Sequence, residues 1–133
     1  MTVEQIKDSV SYCGLVCRLC SFNEKVNCIC KAKNHCGRNR TPDGCFQYKC
    51  CREKGLGGCW ECSDFSCDKD MLNGHIRIKT FIKCIKEDGL DNFAEYILRN
   101  RKNGVVYHRS GYTGDYDLDT EEKILHLLRI GEK

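Results

Sequence analysis

The sequence predicts an irregular/α chain: a small metal-stapled cysteine-rich lobe with little regular secondary structure, then a helical C-terminal lobe of about three helices. Three observations predict it. Twelve of the 13 cysteines fall between Cys13 and Cys67, and Cys84 alone lies beyond. Val, Ile, Leu and Phe together number 12 in residues 1–67 and 18 in residues 68–133. A sustained helical period of apolar residues begins only near residue 75. A half that is poor in core-forming residues and rich in cysteine needs disulfides or metal to hold it. The lobes divide as residues 1–68 and 69–133, integrated in one domain, which a length of 133 residues fits.

Each element has its own signal. Thr2-Val-Glu-Gln5 is a capping-box pattern, and Val3, Ile6 and Val10 follow on one face, so a short helix is expected over about 3–11. From Tyr12 to Asp68 no apolar period persists. Gly37, Thr41-Pro-Asp-Gly44 and Gly55-Leu-Gly-Gly58 are turn signals, so loops and short turns are expected there. The hinge falls around Asp68–Gly74. Ile78, Phe81, Ile82 and Ile85 follow the i, i+3, i+4, i+7 pattern, with Gly89 as a stop. Leu90, Phe93, Ala94, Ile97 and Leu98 repeat it up to Asn103-Gly104. Asp119-Thr-Glu-Glu122 is a third start signal before Ile124, Leu125, Leu127 and Leu128, with Gly131 after. Helices are therefore expected near 75–87, 91–102 and 120–130, with a short strand at Val105-Val106-Tyr107.

Metal fits the cysteines better than disulfides do. An odd count of 13 leaves one thiol over in any all-disulfide scheme. Met1 to Val10 is partly acidic and lacks the apolar run of a signal peptide. No stretch is long enough to span a membrane, so no membrane partner is expected. The expected compartment is the cytoplasm, where thiols stay reduced.

The candidate ligands are Cys13, Cys17, Cys20, Cys28, Cys30, Cys36, Cys45, Cys50, Cys51, Cys59, Cys62 and Cys67. Cys17-Arg-Leu-Cys20 and Cys59-Trp-Glu-Cys62 are Cys-x2-Cys pairs, a spacing that lets two sulfurs converge on one ion. Twelve thiolates fill three four-cysteine sites, so two or three zinc ions are expected. His35 is a spare ligand beside Cys36, or a solvated loop histidine. Spacing leaves the partition open. The grouping it favours puts Cys59 with Cys62, completed from Cys45, Cys50, Cys51 and Cys67. Cys13, Cys17 and Cys20 then take a partner from Cys28, Cys30 or Cys36. Zinc is the default ion, and an iron–sulfur cluster is the rival. Cys13-x3-Cys17-x2-Cys20 has the spacing of a radical-SAM cluster, but those enzymes are barrels of about 200 residues or more.

Charge separates the function classes. The formal net charge is +3, and the excess sits wholly in residues 1–67. Twelve thiolates around three divalent ions turn that into about −3. Long-range attraction to nucleic acid therefore gets little support. Cys59-x2-Cys62-x4-Cys67 has part of a zinc knuckle's spacing, which keeps single-stranded nucleic-acid binding as a second alternative. The knuckle's histidine is missing. Trp60 either shields sulfurs or recognises a partner. The acidic run from Asp115 to Asp119 lacks the glycine and glutamate of a calcium loop and reads as a turn into a helix cap. No phosphate-cradling glycine loop or nucleophile elbow is present.

Tyr12-Cys-Gly-Leu-Val-Cys-Arg-Leu-Cys20, Cys50-Cys-Arg-Glu-Lys-Gly55 and Cys59-Trp-Glu-Cys-Ser-Asp-Phe-Ser-Cys67 together resemble the bacterial and archaeal family called "domain of unknown function 3795". The resemblance spans roughly residues 12–87 and departs from the family's pattern at Cys28-Ile-Cys30. It implies a cysteine-rich domain and no particular activity. The function expected is a small cytoplasmic zinc-binding protein that acts as an interaction module for a protein partner, without evident catalysis. An iron–sulfur redox protein or enzyme is the alternative.

Overall fold

Residues 1–19, 46–63, 67, 69, 72–107 and 113–132 are described by a computed structural model. The first helix, α1 (Val3–Ser9), opens on the expected capping box. The Gln5 N–H donates to Thr2 Oγ1 (3.2 Å) and the Thr2 N–H to Gln5 Oε1 (2.9 Å). Two backbone donors that a helix start leaves orphaned are thereby satisfied. The chain then doubles back. Val10 bridges to Val16, and the Ser11 N–H donates to the Leu15 carbonyl (2.8 Å). Gly14 sits at the bend with φ +87, a conformation that L side chains rarely adopt. A 3₁₀ turn, Cys17–Leu19, follows.

The cysteine-rich half holds more regular structure than expected. Residues Phe46–Lys54, anticipated as loop, form a helix, α2. It buries Gln47, Tyr48 and Cys51, and one of these contacts is polar and one a thiol, so an apolar period is hard to see. Gly55, at φ +72, ends it. A second 3₁₀ turn, Cys59–Glu61, comes next.

The three C-terminal helices stand where periodicity placed them: α3 (Ile76–Asp88), α4 (Leu90–Lys102) and α5 (Glu121–Ile130). Gly89, at φ +92, separates α3 from α4. The cap of α5 is one residue later than expected. Thr120, not Asp119, accepts from the Lys123 N–H (3.2 Å), and Asp119 pairs instead with Lys123 Nζ (2.9 Å). Val105–Tyr107 is not a strand. Among the described residues no strand lies beside it, and its ladder-like bonds are with Asp115. Val106 donates to Asp115 Oδ2 (2.7 Å) and accepts from the Asp115 N–H (2.9 Å). Strand propensity without a neighbouring strand is not realised. Among the described residues there are five α-helices and no strand, a mostly helical chain.

Phe81 is the centre of the core. Its ring meets Phe93 (5.4 Å) and Tyr116 (5.5 Å) edge-on, the geometry that aromatic quadrupoles favour. Ile97, Ile124, Leu127 and Leu128 close round it. Ile6, Val10, Val16 and Leu19, from the N-terminal segment, lie in this same core. The Val16 N–H also donates to the buried Tyr107 hydroxyl (2.8 Å), a link across 91 residues. Among the described residues no helix is long and apolar enough to cross a membrane.

Candidate metal centre

Three local devices bring thiols together beside this core. The first is a backbone bond: the Cys59 N–H donates to the Tyr12 carbonyl (2.8 Å), which sets the Cys59 turn against Cys13. The second is an aromatic contact. Tyr12 and Tyr48 meet edge-on at 5.4 Å, and Tyr48 lies one helical turn before Cys51 on α2. The third is apolar. Cys13 belongs to a small cluster with Leu72 and Ile78, and Cys67 packs against the same cluster. The fully buried Gln47 side chain then donates to the Lys69 carbonyl (2.6 Å), which fastens α2 to the segment that carries Cys67.

The result is a neighbourhood of four thiols. Cys51 Sγ and Cys59 Sγ are 3.8 Å apart. The Cys59 thiol is held well above its ordinary range. The hydrogen bond with Cys51 contributes most, then burial, then the charges of Cys51, Cys13 and Cys67. Ser11 Oγ lies 3.1 Å from Cys13 Sγ and is an outer partner for that sulfur. The four share a neighbourhood rather than a finished coordination sphere. Among the described residues no group of three or more His, Cys, Asp or Glu is arranged as it would be around an ion. Also among the described residues, no cysteine is in a disulfide.

A second focus lies on the exposed side of α2. Lys54 Nζ is 3.8 Å from Cys62 Sγ. Its ammonium is held above its ordinary value, chiefly by the charge of Cys50 and then by that of Cys62. Lys86 Nζ donates to the Cys62 carbonyl (3.0 Å). Cys50 and Cys62 are both half-buried, as is Cys17 on its 3₁₀ turn. Cys84 is different in kind. It is 0% exposed on α3 inside the aromatic core, and burial pushes its thiol up to about 12. That is an inert packing thiol.

The grouping that spacing favoured puts Cys13 and Cys59 on different ions, whereas the fold sets the two cysteines beside each other. The backbone bond from Cys59 to Tyr12 spans 47 positions, a link that spacing cannot see. Cys20, Cys28, Cys30, Cys36, Cys45 and His35 lie outside the described residues. Trp60 is half-buried, packs against the main core and lies over Gly58. Its ring thus anchors the Cys59–Glu61 turn to the helices. The acids of the 115–119 run are occupied structurally: Asp115 by Val106, Asp117 by Arg77 and the Gly114 N–H, Asp119 by Lys123.

Sequence reasoning missed Lys54 and Ser11. Lys54 is one helical turn after Cys50, a signal that becomes readable only once residues 46–54 are known to be helical. The chain matches no family model, no curated protein and no solved structure.

Proposed function

We propose that this chain is a structural zinc protein in which two or three ions, held by cysteine thiolates, build the surface of an interaction module. The carrying observation is the 3.8 Å between Cys51 Sγ and Cys59 Sγ. Four sulfurs at zinc–sulfur distances of about 2.3 Å form a tetrahedron whose edge is about 3.8 Å. Cys51 and Cys59 supply one edge, and Cys13 and Cys67 supply the opposite one. Each of the three motif blocks behind the resemblance to "domain of unknown function 3795" contributes to this set, so that resemblance belongs to the same proposal. A closed site of four thiolates leaves no open position for substrate, so its role is structural, and the function lies in binding a protein partner. A reducing compartment such as the cytoplasm keeps the thiols available. The remaining cysteines between Cys17 and Cys62 serve the other ions.

Elemental analysis with a visible spectrum, on protein purified under reducing conditions, tests this reading. A colourless protein with two or three equivalents of zinc is the expected result. An anaerobic preparation that is brown and contains iron overturns it in favour of an iron–sulfur protein. A preparation that retains no metal overturns it as well. Cys59→Ser is expected to lose about one equivalent, while Cys84→Ser keeps the full complement.

A further inference from the structure

Cys51 and Cys59 are joined by a short and compliant stretch of chain. Cys51 sits in the second half of α2, and Cys59 opens the 3₁₀ turn that follows. Gly55, Gly57 and Gly58 lie between them. Gly55 has φ +72, and nothing lies within 4 Å of where its Cβ would stand, so the link has room to turn there. The two sulfurs are 3.8 Å apart. A disulfide holds its sulfurs at about 2.05 Å, so an approach of about 1.8 Å makes the bond. A glycine-rich link absorbs such a shift without steric penalty.

These sulfurs are also reachable. A cleft of about 920 Å³ is lined by Cys50, Cys51, Cys59, Cys62 and Cys67, so it is the open side of the metal centre. Clefts of this size admit molecules far larger than a peroxide. Lys54 and Lys86 line it as well, and Lys54 Nζ stands 3.8 Å from Cys62 Sγ. Reactive cysteines sit in electropositive, partly exposed surroundings of this kind. Cys59 is half-buried, whereas Cys51 is 2% exposed. An oxidant therefore meets Cys59 before Cys51. Cys84 is 0% exposed and does not line the cleft.

We propose that Cys51 and Cys59 form a peroxide-sensitive switch, in which their oxidation to a disulfide releases the ion they hold. This rests on the metal reading above, because its output is the loss of that ion. Coordination keeps both sulfurs deprotonated and nucleophilic. Cys59 Sγ attacks one oxygen of hydrogen peroxide, the O–O bond breaks and hydroxide leaves, which makes Cys59 a sulfenic acid. Cys51 Sγ then attacks the oxidised sulfur. The S–S bond forms, the S–O bond breaks and a second hydroxide leaves. Two protons from solvent convert both hydroxides to water. The sulfur pair gives up two electrons and the peroxide takes them. Cys13 and Cys67 are then two ligands where zinc takes four, so the ion departs.

The test uses full-length protein purified with its zinc and treated with about one equivalent of hydrogen peroxide. A colorimetric chelator follows zinc release, and peptide mass spectrometry maps the disulfide. A Cys51–Cys59 disulfide and about one equivalent of zinc should appear together, while Cys84 stays a free thiol. A dithiol reductant with added zinc should restore the original content. With dimedone present, Cys51→Ser should leave a trapped sulfenic acid at Cys59 in place of the disulfide. Cys84→Ser should release zinc as the parent does. A first disulfide between other cysteines overturns the proposal, as does oxidation of Cys59 past sulfenic acid with no disulfide formed. Protein that forms the disulfide and keeps all its zinc overturns the switch and leaves the metal reading standing. Protein that carries no zinc before peroxide is added overturns the metal reading, and the switch with it.

Discussion

Asn100 carries more polar responsibility than any apolar neighbour in the helical core. It is 0% exposed. Its amide nitrogen donates to the Leu127 carbonyl (2.8 Å) and to the Tyr116 hydroxyl (3.0 Å). Its oxygen accepts from Arg99 Nε (3.1 Å) and Nη2 (2.9 Å). One side chain thus ties α4 to the end of α5 and to the loop that brings Tyr116 inward. It also explains why Gly131 must stay small: a Cβ there would lie 2.7 Å from Asn100 Oδ1. Asn100→Ala removes partners from a carbonyl and a hydroxyl that water cannot reach. Each such group costs about 1–3 kcal/mol, so a loss of about 2–3 kcal/mol is expected, allowing for partial relaxation. Urea denaturation reads it as a lower midpoint at unchanged slope. A midpoint within error of the parent shows that the network is not bearing on stability.

At the scale of elements, the helices that periodicity revealed are the ones whose partner is a large apolar core. Phe81 and Ile85 of α3, Phe93 and Ile97 of α4, and Ile124 and Leu128 of α5 are all buried at helical spacing. Such positions must be apolar whatever they touch, so a single sequence displays them. The helix α2 was not legible for the converse reason. It is buried through Gln47, Tyr48 and Cys51, whose partners are a carbonyl, a ring and a thiol. Those residues stand at helical spacing, but one is polar and one a thiol, so no apolar period marks them in the sequence. Cys13, Cys51, Cys59 and Cys67 stood among the sequence's candidates, but their coming together was illegible, because the Cys59-to-Tyr12 bond that sets Cys59 beside Cys13 is long-range. The junction between α3 and α4 shows the opposite case, a local rule that holds. Gly89 has φ +92 and ψ 155, which L residues strongly avoid, while nothing lies within 4 Å of where a Cβ would stand. Gly89→Ala therefore tests backbone conformation without a clash. A loss of about 1–3 kcal/mol is expected, read as a fall of several degrees in the thermal midpoint. No change would mean that the junction relaxes into another turn.

At the scale of the whole molecule, two kinds of cohesion meet along one seam. The helical side is held by burial: Phe81, Phe93, Ile124 and Leu128 are each 0% exposed. Ile6, Val10 and Val16 extend that core into the N-terminal segment. The other side, around α2 and the Cys59–Glu61 turn, joins it through Trp60, the Cys59-to-Tyr12 bond and a small cluster of Cys13, Leu72 and Ile78. Burying one aliphatic side chain contributes about 1.5–3 kcal/mol, whereas structural zinc in small thiolate sites is worth about 10–16 kcal/mol at neutral pH. On the proposed reading, with an ion held by the thiolates, cohesion on that side depends on the ion far more than on its own packing. Removing metal with a chelator, under reducing conditions that keep the thiols from oxidising, should split the molecule along the seam. Hydrogen exchange is expected to show amides of residues 46–62 losing most of their protection. Those of α3, α4 and α5 should keep theirs, and far-UV circular dichroism should fall by little more than the share of α2. Loss of protection in all helices at once would show that the aromatic core cannot stand without the ion, and the two cohesions would be one. Protection unchanged throughout would show that packing alone holds α2, and the case for a structural ion would fall with it.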